Sequence, residues 1–148
     1  MDKINYTDED LLDHHGVAAV IKNNQGEILM QEHVKYGFWT IPVGKVKHNQ
    51  SVVEGLKEEI LEECNLKLDK ITEIANKKYS YLRNEKDVSV DVHLFDVATY
   101  SGEMKNNEPH KHKNQEFMTL EKIKTLPYLS DITLLYLETI GFKRLAKI

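Results

Sequence analysis

Four carboxylates crowd the run Glu58-Glu59-Ile60-Leu61-Glu62-Glu63, inside a stretch from Ser51 to Cys64 that reads as a helix. At roughly 100° per residue, Glu59 and Glu63 lie about 40° apart on one face, with Glu62 about 60° to the other side of Glu59. Glu58 with Glu62, and Glu59 with Glu63, are like-charge pairs at i, i+4, each costing a helix about 0.2–0.5 kcal/mol. All four sit in the second half of the helix, where the macrodipole disfavours negative charge, and no Lys or Arg follows within the helix. A solvated helix face mixes its signs. A bound divalent cation reverses the sign of the crowding, because hard cations want several carboxylate oxygens in one place.

Upstream lies Trp39-Thr40-Ile41-Pro42-Val43-Gly44-Lys45-Val46, and downstream Cys64-Asn65-Leu66. The segment from Gly44 to Leu66 resembles the signature box of the Nudix hydrolases. Gly44, Glu59, Ile60, Glu62, Glu63 and Leu66 take matching positions at the right spacing, and Trp39-x-x-Pro42-x-Gly44 resembles the family's lead-in. Three positions depart from it. Gln50 stands in place of the first Glu, Glu58 in place of Arg, and Asn65 in place of the second Gly. Asn is the next-best residue for a left-handed C-cap. Glu58 cannot hold a neighbouring carboxylate as the family Arg does, and Lys57 points about 100° away from it.

The resemblance implies an α/β protein with the Nudix-type α/β/α sandwich around a central mixed sheet, as one domain over 1–148. It also implies hydrolysis of a pyrophosphate bond in a nucleoside diphosphate linked to another group, of ADP-ribose, dinucleoside polyphosphate or FAD type. Nucleoside triphosphates are the alternative substrates, and a catalytically weak nucleotide-binding module the alternative function. Mg²⁺ or Mn²⁺ is the implied cofactor, neutralising the diphosphate and positioning water for in-line attack. Its implied ligands are Glu59, Glu63 and the Gly44 carbonyl, with Glu62 as further ligand or water activator.

Glu116, in Glu116-Phe117-Met118-Thr119-Leu120, resembles a position where some members carry another catalytic carboxylate. His110 and His112 precede it in a polar loop, where an imidazole could activate water or simply be solvated. Tyr36 and Phe38 are candidates to stack on a base, and Lys45 to meet a phosphate; Trp39 reads as core. His14 and His15 read as surface or structural, and Cys64 as a small packed side chain.

The elements that must position these residues follow from pattern. An apolar run from Gly16 to Ile21 and an alternating one from Glu27 to Glu32 flank the turn Asn23-Asn24-Gln25-Gly26 and read as a hairpin. Val52, Val53, Leu56 and Ile60 form the stripe of the box helix. Leu68 to Leu82 reads as one long strand with Tyr79 and Tyr81 as packing residues, Arg83 to Asp87 as a polar turn, and Val88-x-Val90-x-Val92-x-Leu94 as a strand with one buried face. Ser101 to Asn114 reads as a loop, Glu116 to Met118 as a short strand, Leu120 to Thr125 as a helical turn before Pro127, and Ser130 or Asp131 as the cap of a last helix. Thr7 to Asp10 reads as the start of a short helix.

The net charge of −4 gives no support to a basic nucleic-acid surface, leaving a small nucleotide as the expected partner and a homodimer as an option. The single cysteine excludes an internal disulfide and fits a reducing compartment. No segment has the length or apolarity of a membrane span or a signal peptide, so a cytoplasmic location is expected.

Overall fold

The computed structural model describes residues 13–83 and 85–142; the helix start expected at Thr7 to Asp10 lies outside them. The elements are β1 (Asp13–Val20), β2 (Ile28–His33), β3 (Trp39–Thr40), β4 (Val43–Lys45), α1 (Val52–Cys64), β5 (Lys67–Leu68), β6 (Ile71–Arg83), β7 (Lys86–Val97), β8 (Tyr100–Ser101), β9 (His112–Met118), α2 (Leu120–Ile123) and α3 (Asp131–Thr139).

A four-stranded sheet runs in the order β4-β1-β7-β6, with β1 and β7 parallel and the outer pairs antiparallel. It is therefore mixed, as the resemblance implies. A second, antiparallel sheet runs β3-β2-β9. The helices cover opposite faces. Along β1, Val17 and Ala19 pack with Leu56 and Ile60 of α1, while Ala18 and Val20 pack with Ile132, Tyr136 and Leu137 of α3. Period-2 alternation thus gives β1 two buried faces, which explains why its sequence is apolar throughout rather than alternating.

The first two strands are not the hairpin that their spacing suggests. Beyond the turn they are joined only by Leu29 N donating to Ile21 O at 2.9 Å and the Lys22–Ile28 bridge. They then part into different sheets, because β1 finds its long partner in β7, far along the chain. The expected strand from Leu68 to Leu82 is broken at Asp69 and Lys70 and bulged between Glu73 and Ala75. Conversely, the five-residue turn after it is tighter than expected, since pairing continues to Arg83 with Lys86. Tyr79 packs against α3's core, whereas Tyr81 is 40% exposed.

Helix α1 begins where its sequence says. Ser51 is the N-cap and closes a capping box with Glu54, and Asn65 ends the helix in the left-handed conformation at φ 62°. Leu56, Ile60 and Cys64 are buried; Val53, in the first turn, is not. The lead-in is anchored separately. Trp39 N donates to Tyr128 O, Ser130 N to Trp39 O, and Ile41 N to the buried hydroxyl of Thr133. Ser130 caps α3 and also donates to Thr40 Oγ1 at 2.7 Å. This fixes the segment that carries Gly44 over α1. No helix among the described residues is long and apolar enough to cross a membrane.

Candidate active site

Gly44 and Glu59 are in direct contact. A Cβ at residue 44 would sit 2.5 Å from Glu59 Cγ and 2.7 Å from its Oε2, so only glycine leaves this carboxylate its place. One turn on, Glu63 is 3% exposed, and its carboxyl hydrogen-bonds that of Glu59. Burial first, then the negative charge of Glu59, pushes the Glu63 carboxyl up to about 9. Burial likewise raises Glu59, with Glu62 adding to it and Lys111 and Lys47 opposing. Glu63 Oε1 is buried and accepts no hydrogen bond from the described residues. Two adjoining carboxylates, Glu59 half-buried and Glu63 buried with an oxygen left over, form a hard-oxygen site that a proton satisfies poorly and a divalent cation well.

The charge that α1 lacks comes from two loops. Lys47 Nζ donates to Glu58 Oε1 and lies 3.9 Å from Glu62 Oε2. Burial alone would lower the Lys47 ammonium, but Glu58, Glu62 and Glu59 more than offset this and hold it above its usual value. Gln50 joins the same arrangement, with Nε2 donating to Glu58 Oε1 at 3.1 Å and Oε1 accepting from Lys47 N at 3.0 Å. Two of the three departures from the family box, Gln50 and Glu58, thus belong together. Glu58 reverses the charge expected at its position, Gln50 removes the one expected at its own, and Lys47 supplies the cation. Reading along the helix alone, with Lys57 as the only neighbour to weigh, missed this because the partner lies 11 residues upstream.

The second cation is Lys111. The loop after β8 folds back over the C-terminus of α1, where Lys105 N donates to Cys64 O at 3.0 Å and Asn107 N to Glu63 O at 3.1 Å. These satisfy carbonyls that a helix end leaves without partners. The loop then brings Lys111 Nζ to 3.2 Å from Glu108 Oε1, and the charges of Glu63 and Glu59 help Glu108 to raise the ammonium against the opposing effect of burial.

His112 opens strand β9 rather than lying in a loop, and is buried, whereas His110 is exposed. The register of β9 against β2 shifts between Glu32 and His33, so that Lys113 is bulged and His112 pairs with His33. A bulge re-aims the side chain beside it. Here it turns His112 towards α1, with Nε2 4.0 Å from Glu63 Oε1. Burial, then His33 and Lys111, hold the imidazole down to about 4, so it is neutral at ordinary pH. His33 is lowered in the same direction by burial, Lys111 and Lys35.

Tyr36 and Phe38 stack on each other with ring centroids 5.4 Å apart. His33 lies 4.9 Å from Tyr36, 5.6 Å from Phe38 and 5.8 Å from His112. An aromatic row therefore leads from the exposed Tyr36 to the Glu63 carboxylate. Lys45 pairs with Gly16 across β4 and β1, directly after Gly44. Glu116 is not brought to the pair. It shares a strand face with Met30 and Met118, while its neighbour Gln115 faces α1, accepting from Gln31 Nε2 at 2.8 Å beside Cys64. The Glu116 carboxylate is held by Lys122 Nζ at 3.1 Å. Cys64 is packed and buried, and burial pushes its thiol up, away from reactivity.

The profile of the NUDIX domain family matches residues 12–135. An 8-oxo-dGDP phosphatase, NUDT18 of Danio rerio, is 37% identical over 59 residues, which are 38% of this chain and 18% of that protein. An 8-oxo-dGTP diphosphatase of Buchnera aphidicola is 27% identical over 99 residues, covering 66% of this chain and 72% of that one. Among solved structures, the MutT NUDIX hydrolase from Burkholderia pseudomallei superposes with a TM-score of 0.71 at 24% identity, over 86% of this chain and 98% of its own.

Proposed function

The chain belongs to the NUDIX family, and from that premise we propose that it is a Nudix-type pyrophosphohydrolase that cleaves the diphosphate linkage of a small nucleotide at the Glu59–Glu63 site, with Mg²⁺ or Mn²⁺ bound there. The observation that carries this reading is the carboxylate pair against Gly44, with Glu63 buried and its Oε1 left without a hydrogen bond among the described residues. Glu59, Glu63 and the Gly44 carbonyl would hold the ion, an all-oxygen set suited to Mg²⁺ or Mn²⁺. When bound, the ion neutralises diphosphate oxygens and makes water a better nucleophile at neutral pH.

The chain's own groups do the rest. Lys111, beside the pair, offers a cation to a phosphate oxygen. Tyr36 and Phe38 offer faces for a base, since stacking contributes about 1–3 kcal/mol per base. Neutral His112 closes the buried side of Glu63 without adding charge. Lys47 holds Glu58 and restrains Glu62, so that the edge of α1 facing Gly44 keeps Glu59 and Glu63 in register. Glu62, whose charge acts on Glu59, is a further carboxylate for a water or a second ion.

Both relatives described above are named for purine nucleoside di- or triphosphates. These names support ranking nucleoside di- and triphosphates ahead of the ADP-ribose, dinucleoside polyphosphate and FAD types as substrates to test. The test is product release from a panel of these nucleotides with Mg²⁺, with Mn²⁺ and with chelator, beside a Glu63→Gln control. Metal-dependent turnover of one class, lost in the control, supports the reading. Binding of a nucleotide without turnover would instead make the chain a binding module.

A further inference from the structure

The face of the four-stranded sheet that carries Val17 and Phe95 ends, beyond the apolar packing, in a cluster of different chemistry. His15 on β1 stands beside Asp91 on β7 in the parallel register, and His93 follows two residues on. His15 Nδ1 lies 3.0 Å from His93 Nε2 and 3.8 Å from Asp91 Oδ2, and His93 Nε2 lies 4.0 Å from Asp91 Oδ2. A triangle with those edges has its centre about 2.1 Å from all three atoms, which matches the ~2.0–2.2 Å of Zn–N and Zn–O bonds.

The outer shell is also in place. His93 Nδ1 bonds Glu73 Oε2 at 2.8 Å, and Asp91 Oδ1 accepts from Asn76 Nδ2 at 2.6 Å. A carboxylate on the far nitrogen fixes the imidazole as the tautomer whose Nε2 lone pair points at the centre, an arrangement characteristic of metal-bound histidine. A cavity of about 320 Å³, lined by His14, His15, Lys78, Ser89 and Asp91, adjoins the cluster, leaving room for a fourth ligand from solvent.

We propose that His15, Asp91 and His93 form a second metal site, for a zinc-class divalent ion, separate from the carboxylates of α1. The two sites share no residue, and their donor sets select different ions. Two imidazoles and one carboxylate favour Zn²⁺, Co²⁺ or Cu²⁺ over Mg²⁺, whereas Glu59, Glu63 and a carbonyl favour the hard ion. The fourth position would take water or an anionic group, which Lys78 in the cavity wall favours electrostatically.

The test is calorimetric titration of the full chain with Zn²⁺ in excess Mg²⁺ and in a Glu63→Gln background, with Co²⁺ absorption reporting coordination number. One Zn²⁺ per chain and a tetrahedral Co²⁺ spectrum are expected. His93→Ala should lose both, and Glu73→Gln should weaken Zn²⁺ by about 10–100-fold while keeping the stoichiometry. Melting in chelator checks that each variant folds, and His15→Ala, at a half-exposed side chain, replaces His93→Ala if that variant does not. No Zn²⁺ binding by the parent would leave only a histidine–histidine hydrogen bond and overturn the proposal. Undiminished binding in the folded histidine variants would overturn it too.

Discussion

Raising the pH should destabilise the metal-free protein through the Glu59–Glu63 pair, and adding Mg²⁺ should cancel the effect. The Glu63 carboxyl has its usual value near 4.5 when the chain is unfolded and about 9 when folded, because burial and the charge of Glu59 penalise its ionised form. The native state therefore holds a proton that the unfolded state has released throughout the interval between those values. Stability falls with pH where the native state binds more protons, by up to about 1.4 kcal/mol per pH unit for one proton. From pH 6 to pH 8 the loss is about 2–3 kcal/mol, and at 3% exposure little of it is screened by solvent. For a chain of this size that is a drop in Tm of about 5–10 °C. The assay is thermal melting in EDTA at pH 6, 7 and 8, for the parent and for Glu63→Gln, which keeps the shape but cannot ionise. The variant should show at most half the parent's fall and should melt higher at pH 8. With saturating Mg²⁺ the parent's fall should vanish, because the ion replaces the proton and binds only the folded site. A parent whose Tm is flat from pH 6 to 8 in EDTA, or a variant that tracks it, would refute the shared-proton account of the site.

On the acid side the sign is opposite. His112 is held neutral down to about 4, so stability should drop between pH 6.5 and 4, and His112→Gln should flatten that limb in a urea titration. Gly44→Ala should cut kcat by about 100-fold in the folded protein, because its Cβ would meet Glu59 Cγ at 2.5 Å and Oε2 at 2.7 Å and displace the carboxylate. Glu58→Arg, which restores the family residue, should lower stability by about 1–2 kcal/mol, because it sets an arginine against Lys47. Adding Lys47→Glu should recover most of that loss in a double-mutant cycle. Tyr36→Ala and Phe38→Ala should each raise KM by about 5–50-fold at constant kcat if these rings stack on the base.

What the sequence disclosed about this site was the part written in local geometry. Ser51, Glu54 and Asn65 mark the ends of α1 through bonds made within four residues, and the i, i+4 spacing of Glu59 and Glu63 sets their common face without help from the rest of the fold. Gly44 was legible through its place in a resemblance, and the structure adds the reason: a Cβ there would collide with Glu59. What stayed hidden depends on strand parity and on contacts between distant segments. Glu116 matched a local pattern, yet a strand's faces alternate, and the parity of β9 sends Gln115 to α1 and Glu116 to Lys122. His112 is one bulge away from facing outward, and no sequence pattern announces a bulge at Lys113. Lys47 could not be matched to Glu58 without knowing that the loop after β4 runs back over α1. The apparent lapse at Gln50 and Glu58 therefore argues for a compensated site. A lapsed one would keep the repulsion among its four carboxylates and lose its cations, whereas here both Lys47 and Lys111 are brought to the helix by segments outside it.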